Sequence, residues 1–276
     1  MFGIRRGRRR ARSAAPTQPW SRERLLVMLI GSALAVVLLL TGLVMAIVYS
    51  LADRAAAPAV VAQEGQVESS LPIRDRIAAA PMASLDPDAA FTPDPAVTEA
   101  APIKVPMPTV VGPAEVPSGF PHTPQGAVGQ LAAIEQMVLE SMSLPVTNTV
   151  HSAWAQPGGP SLEEWELTRN VQTFLASARQ GGQEKDFTTL ITANPAAGLV
   201  KGTDGPDWAV VCVLMDVQAA IKTESRMGYG LCSRMQWIDG RWQIAAGAAP
   251  AKAPSAWPGS RAAADAGWLT WTDEVE

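Results

Sequence analysis

From Leu25 to Leu51 the chain is apolar and holds no charged residue. A bilayer's hydrocarbon core takes about 20 apolar helical residues, so the run predicts one transmembrane helix over 25–51. Residues 52–118 lack a sustained apolar period and are rich in Pro, Ala and acidic residues. Such a stretch buries too little apolar surface to offset its ordering entropy. It reads as a disordered, Pro-rich linker. Leu71 to Ile77 is the one patch in it suited to docking on a partner.

Helical periodicity begins after the linker. Thr123 followed by Pro124 reads as an N-cap with Pro at the first helical position. Ala127, Leu131, Ile134, Val138 and Met142 then recur at steps of three and four, with Gln130, Glu135 and Gln136 on other faces. That predicts an amphipathic helix ending before Pro145. Ser161-Leu162-Glu163-Glu164 has the form of a capping box and predicts a second helix. Its apolar face is Leu167, Val171, Phe174, Leu175 and Ala178, and Gly181-Gly182 stops it. The segment between the two, with His151 and Trp154, reads as a loop.

The pattern then changes to strands. Phe187 to Thr192 is a short candidate and Leu199-Val200 a weaker one. Trp208 to Val217 is apolar on both alternations, which predicts a central strand buried on both faces. Met227 to Ile238 alternates: Met227, Tyr229, Leu231, Met235 and Trp237 share one face, and Cys232, Arg234 and Gln236 the other. Asp239-Gly240 predicts a two-residue hairpin turn into Arg241 to Ala246. That turn fixes a register in which Ile238 faces Arg241, Trp237 faces Trp242 and Met235 faces Ile244. Residues 250–276 carry Trp257, Trp268 and Trp271 without a period. They read as an extension that wraps on the domain or meets a partner.

The reading is therefore α+β. A basic cytoplasmic tail (1–24) precedes the span (25–51), followed by the linker (52–118), an exported domain (119–249) and a Trp-rich extension (250–276). The domain reads as two helices followed by antiparallel strands.

Charge orients it. Eight arginines and one acid, Glu23, precede the span, which holds the N-terminus in the cytoplasm. The whole chain carries −4, so the part beyond the span is strongly acidic. That argues against nucleic acid as a partner, since phosphate neutralisation needs Lys and Arg. A cleaved signal peptide is the competing reading of the apolar run, but secretory apolar cores are about 7–15 residues. The expected location is the cell membrane, single-pass, with the C-terminal domain outside.

Cys212 and Cys232 are the only cysteines. With the intervening loop centred near Lys222, position 212 faces 232, Val213 faces Leu231 and Met215 faces Tyr229. The sequence permits a cross-strand disulfide in an oxidising compartment; two small buried thiols are the alternative. One cysteine pair without a His or Asp cluster does not read as a metal site. No Gly-rich phosphate loop, His-Glu-x-x-His or Gly-x-Ser-x-Gly occurs. His122 and His151 have no motif-level partner, and Asp216 lies inside an apolar strand. The expectation is a non-enzyme without catalytic residues, cofactor or metal. Its structural or interface candidates are His122, Thr123, Gly126, Trp237 and Trp242.

The order of basic tail, span, Pro-rich linker, two helices and antiparallel strands resembles the VirB8 family of conjugative type IV secretion components and the TcpC-like proteins. The hairpin Met235-Gln236-Trp237-Ile238-Asp239-Gly240-Arg241-Trp242-Gln243-Ile244 resembles the last hairpin of NTF2-like domains. Gly119-Phe120-Pro121-His122-Thr123-Pro124-Gln125-Gly126-Ala127-Val128, with Trp257-Pro258-Gly259-Ser260, is similar to exported proteins of actinobacterial mobile elements and transfer loci. That likeness runs from Gly119 to Trp271. It implies an NTF2-like domain with the two helices packed on a curved antiparallel sheet, a scaffold role, and the membrane, other secretion-channel subunits and further copies of the chain as partners. The alternative it leaves is a membrane-tethered domain that uses its cavity for a small ligand or a reaction. The linker is longer than is usual in VirB8-type proteins, which suggests a wall-crossing reach or a different partner geometry.

Overall fold

The computed structural model describes residues 71–221 and 223–274. The predicted tail and span, and the linker up to residue 70, lie outside the described residues. No helix among the described residues is long and apolar enough to cross a membrane. In chain order the elements are α1 (Ile73–Ala79), β1 (Pro102–Pro106), β2 (Val110–Val111), β3 (Pro117–Ser118), α2 (Pro124–Ser141), α3 (Leu144–Trp154), α4 (Glu166–Ser177), β4 (Leu190–Thr203), β5 (Trp208–Ala220), β6 (Glu224–Ile238), β7 (Arg241–Ile244), α5 (Arg261–Asp265) and β8 (Leu269–Glu274).

The class is α+β. Six strands form one sheet in the order β1-β8-β4-β5-β6-β7, and β2 and β3 form a small separate ribbon. Every pair in the large sheet is antiparallel except β1 with β8. Leu190–Thr192 of the first predicted fragment and Leu199–Val200 belong to one strand, β4, with register shifts at Pro195/Ala197 and Val200/Gly202, while Phe187 and Thr188 lie in a turn before it. Each shift adds local twist and bend, which curls the sheet and interrupts the alternation that would have joined the fragments. The β6–β7 register is the predicted one, with Trp237 opposite Trp242 and Met235 opposite Ile244.

Both faces of the sheet are buried. Val211, Val213 and Met215 of β5 point to the side covered by α2, α3 and α4. Val210, Cys212 and Leu214 point to the other side, under α1 and the segment from Ala245 to Trp268. The C-terminal extension thus wraps on the domain, with Trp268 buried and its indole donating to the Pro254 carbonyl at 3.1 Å.

Four expectations need correction. First, residues 71–118 are ordered parts of the domain, so it begins well before Gly119. Ala78, Ile103, Val105 and Val116 are core residues, and Lys201 Nζ donates to the Ala78 carbonyl at 2.8 Å. Each apolar group is too short to show a period, but each docks on a sheet that the rest of the chain builds. Second, three helices cover the sheet, because Leu144–Trp154 is helical. Pro145 does end the previous helix, but it also occupies the first turn of the next, where a missing N–H costs nothing. Ser143 caps that turn by accepting from Val146 N at 3.4 Å, and the chain reverses at Met142, whose φ is 38°.

Third, Gln130 and Glu135 are fully buried instead of lying on a solvated face. The helix α2 is enclosed by the sheet on one side and by α3, α4 and β3 on others. Fourth, α4 starts at Glu166. Ser161 Oγ accepts from Glu164 N at 3.3 Å as in a capping box, but Glu164 Oε2 takes the Ser161 hydroxyl at 2.9 Å instead of the Ser161 backbone N–H. They close a turn just ahead of the helix. Its end at Ser177 is likewise earlier than Gly181.

Candidate functional site

The five interface candidates meet at one junction, where the lead-in to α2 crosses the β6–β7 hairpin. Thr123 caps α2, its Oγ1 accepting from Gly126 N at 3.0 Å. A side chain on Gly126 would run into the Pro121 carbonyl, so glycine permits the tight approach. The same carbonyl accepts from Trp242 Nε1 at 3.0 Å. His122 stacks on Trp237 with ring centroids 4.5 Å apart and meets Trp242 at 5.8 Å. His122 Nε2 lies 2.7 Å from Asp207 Oδ1. Trp237 and Trp242 pack edge to face at 5.6 Å, an arrangement worth about 0.5–1.5 kcal/mol beyond area burial. The junction fastens helix to hairpin and presents the outer face of His122, which is half exposed.

The cysteines lie elsewhere. Cys212 and Cys232 stand opposite each other on β5 and β6 and are joined as a disulfide, on the sheet face away from the three helices. Asp216 is on that face too. It holds Arg226 through two hydrogen bonds of 2.8 and 2.7 Å, with the Arg226 guanidinium 4.8 Å from the Trp257 ring. His151 Nε2 is 2.8 Å from the Pro160 carbonyl, and its ring packs at 5.2 Å from Trp165. Neither histidine nor Asp216 converges with another on a shared cavity.

One polar group on the helix side was not visible in the sequence as special. Glu135 of α2 is fully buried and both its carboxylate oxygens lack a hydrogen-bond partner. Burial, and then the nearby charge of Glu166, hold its pKa well above the usual carboxylate range. Tyr229 of β6 donates its hydroxyl to Glu166 Oε1 at 3.1 Å. Burial first, then the charges of Glu166 and Glu135, push the Tyr229 phenol well up. The three groups form a chemically uncommon interior patch of two acids and a phenol, in which burial disfavours the charged forms of Glu135 and Tyr229. By its polarity Glu135 reads with Gln130 and Gln136 as lying off the apolar stripe, although it stands four residues after Leu131 and borders that stripe.

Glu166 also lines a cleft of about 410 Å³ between α4, β6 and the loop 247–253. Its opposite wall is Arg234, whose side chain is 7% exposed. Nε of Arg234 donates to the Ala248 carbonyl at 2.7 Å and Nη1 to Asp75 Oδ1 at 2.7 Å. The guanidinium fills the space beside Gly247, whose φ of 112° suits glycine alone. Among the described residues, no group of three or more His, Cys, Asp and Glu side chains is placed to hold a metal ion.

No protein family, curated protein or solved structure matches this chain.

Proposed function

We propose that the chain is a single-pass, membrane-anchored assembly component of a conjugative, type IV-like secretion apparatus, and that its exported NTF2-like domain works by binding other proteins. The observation that carries the reading is the filling of the space between helices and sheet. Trp154, Met215, Met235 and Trp242 are fully buried there, and both histidines and Asp216 lie outside it. A scaffold needs a packed, stiff body with its chemistry on the surface; an enzyme or carrier needs an interior its ligand can enter. Helices followed by long, bulged antiparallel strands, closed by the Trp237–Trp242 hairpin, are the arrangement that the resemblance implies.

A second reading has one observation in its favour. Glu135, unpartnered and close to Tyr229 and Glu166, is the kind of perturbed buried acid that marks reactive sites. In that reading the domain binds a small polar ligand or acts on it.

The test is recovery of the intact protein from membranes after mild cross-linking, with partners identified by mass spectrometry. The expected result is capture of a transfer ATPase and membrane-channel subunits. Recovery of the protein alone, or with cell-wall enzymes only, overturns the secretion reading. Extraction of the chain from membranes by alkaline carbonate would overturn the anchor.

A further inference from the structure

The cleft between α4, β6 and the loop 247–253 contains a vacant place in the sheet's hydrogen-bond ladder. In the β6–β7 hairpin, the two-residue turn makes Ile238 and Arg241 the closing hydrogen-bonded pair. Antiparallel alternation then turns the peptide groups of Gln236, Arg234, Cys232 and Gly230 away from β5. The register pairs Gln236 with Gln243, and Arg234 accepts from Ala245 N at 2.8 Å. Farther along, Gly230 N donates to Ser255 Oγ at 3.1 Å. Between these two contacts, the outward groups from the Gly230 carbonyl through the Cys232 amide and carbonyl to the Arg234 amide have no partner among the described residues. The strand β7 has ended at Ile244, and Cys232 faces the cleft. Its disulfide to Cys212 fixes that edge to the centre of the sheet.

The vacancy centres on Cys232 and runs from the Gly230 carbonyl to the Arg234 amide. Ala245 closes it on one side and Ser255 on the other, so a continuous strand cannot run through. A chain end can enter. The charges select which end. Three cations, Arg169, Arg234 and Lys252, line the cleft against two acids, Glu164 and Glu166, which accept the Ser161 hydroxyl at 2.9 Å and the Tyr229 hydroxyl at 3.1 Å. Asp75 is held by Arg234 Nη1. Two cations keep capacity. Arg234 Nη2 has no acceptor among the described residues, and exposed Lys252 has no partner there. Arg169 adds a third positive charge at the rim, its Nε donating to the Glu163 carbonyl at 3.3 Å.

We propose that this cleft captures the C-terminal end of a partner protein. The last residue pairs its backbone with the Cys232 amide and carbonyl, and its carboxylate sits between Arg234 Nη2 and Lys252 Nζ. Backbone pairing and carboxylate capture are two established ways of reading a peptide, and here both fall in one recess. The inference rests on the reading of the domain as a protein binder, and it names where a partner's chain end is held.

The full chain is titrated, with fluorescence anisotropy as readout, against a dye-labelled pool of random hexapeptides ending in a free carboxylate. The same pool with amidated ends is the comparison. The expected result is saturable binding of the free-acid pool, with amidation weakening it by roughly tenfold or more, as loss of charge-assisted bonds does. Lys252→Glu lies on an exposed loop and should weaken the free-acid pool similarly. Amide hydrogen exchange at Cys232 should slow when that pool is bound. Equal binding of the two pools, no binding by either, or an unchanged affinity in Lys252→Glu overturns the proposal. If peptides fail while cross-linking still recovers channel subunits, the cleft assignment falls alone. If peptides bind while cross-linking recovers none, the secretion reading falls and the cleft stands.

Discussion

The two faces of the sheet are covered by different kinds of chain. The helix face is roofed by α2, α3 and α4, consecutive elements that contact one another, with α2 lying along the sheet. The opposite face is roofed by α1 and by the chain after β7, which come from the two ends of the described region. The helices present apolar stripes of their own. The second cover presents single anchors, such as Ala78, Ala253, Ala256 and Trp268, separated by prolines and turns. A helical roof can be legible from periodicity because it organises its own surface. A strap is legible only from the groove it fills.

If that contrast is right, the strap face should depend on few residues, and its failure should be large and local. Trp268→Ala is expected to cost about 3–5 kcal/mol, the usual range for a buried tryptophan lost from a core, because the residue is both the largest anchor there and a hydrogen-bond donor to Pro254. Chemical denaturation of the variant would measure it. A loss below about 1 kcal/mol would mean that the strap is dispensable and the faces are not equivalent layers.

Next comes the disulfide, which lies under the strap. Its cysteines are 20 residues apart, and the chain-entropy estimate for such a loop is about 3 kcal/mol. The double variant Cys212→Ser and Cys232→Ser, or the wild type in reductant, should lose about that much. Both treatments should leave the helix-face register intact, read as unchanged aromatic circular dichroism from the Trp237–Trp242 pair.

On the helix face, Gly126→Ala pushes a methyl group at the Pro121 carbonyl. We expect a loss of about 1–3 kcal/mol, as for other overpacked sites. It should be accompanied by a change in Trp242 fluorescence, since that indole shares the carbonyl. Gly181→Ala, where an added Cβ meets nothing within 4 Å, is the control that should be close to neutral.

The smallest effect at low pH, and the one that sharpens the comparison most, belongs to Glu135. Its folded pKa lies above its unfolded value, through burial and the charge of Glu166. Below the unfolded carboxylate range both states are protonated and the group costs nothing through ionisation. As pH rises through that range toward the folded value, the unfolded chain releases its proton and the native one retains it, so stability falls. Glu135→Gln removes this slope. Stability curves of the two proteins, measured from pH 4 to pH 9, should run closest at the acid end and separate as pH rises, with the variant the more stable. Parallel curves would show that the carboxyl is hydrated or paired in the folded protein.

Much of the fold was written locally. The Asp239-Gly240 turn sets the β6–β7 register, and counting back from a loop near Lys222 brings Cys212 opposite Cys232. Both follow from the strict two-residue period of strands. What escaped was decided by distant chain. Pro145 breaks one helix and starts another, and only the cap at Ser143 separates the two meanings. Pro195 and the bulges of β4 broke a fourteen-residue strand into fragments. Glu135 reads as polar surface until α4 is seen to cover it. The interface candidates His122, Thr123, Gly126, Trp237 and Trp242 gather at one junction, where the helix entry meets the hairpin. The Arg234–Asp75 pair spans 159 residues, and no local pattern announces it.

The parallel pairing of β1 with β8 has a mechanical consequence. Pro102 stands opposite Thr270 and Pro106 opposite Glu274, with both strands running the same way. Tension that holds the chain ahead of Pro102 and draws on the chain after Glu274 pulls these strands in opposite directions along their length. The cross-strand bonds are then loaded side by side in shear, and none can open before the others carry the strain. A tether attached at these two points meets the pair in its strongest direction, whereas a pull across the sheet would open the same bonds one at a time.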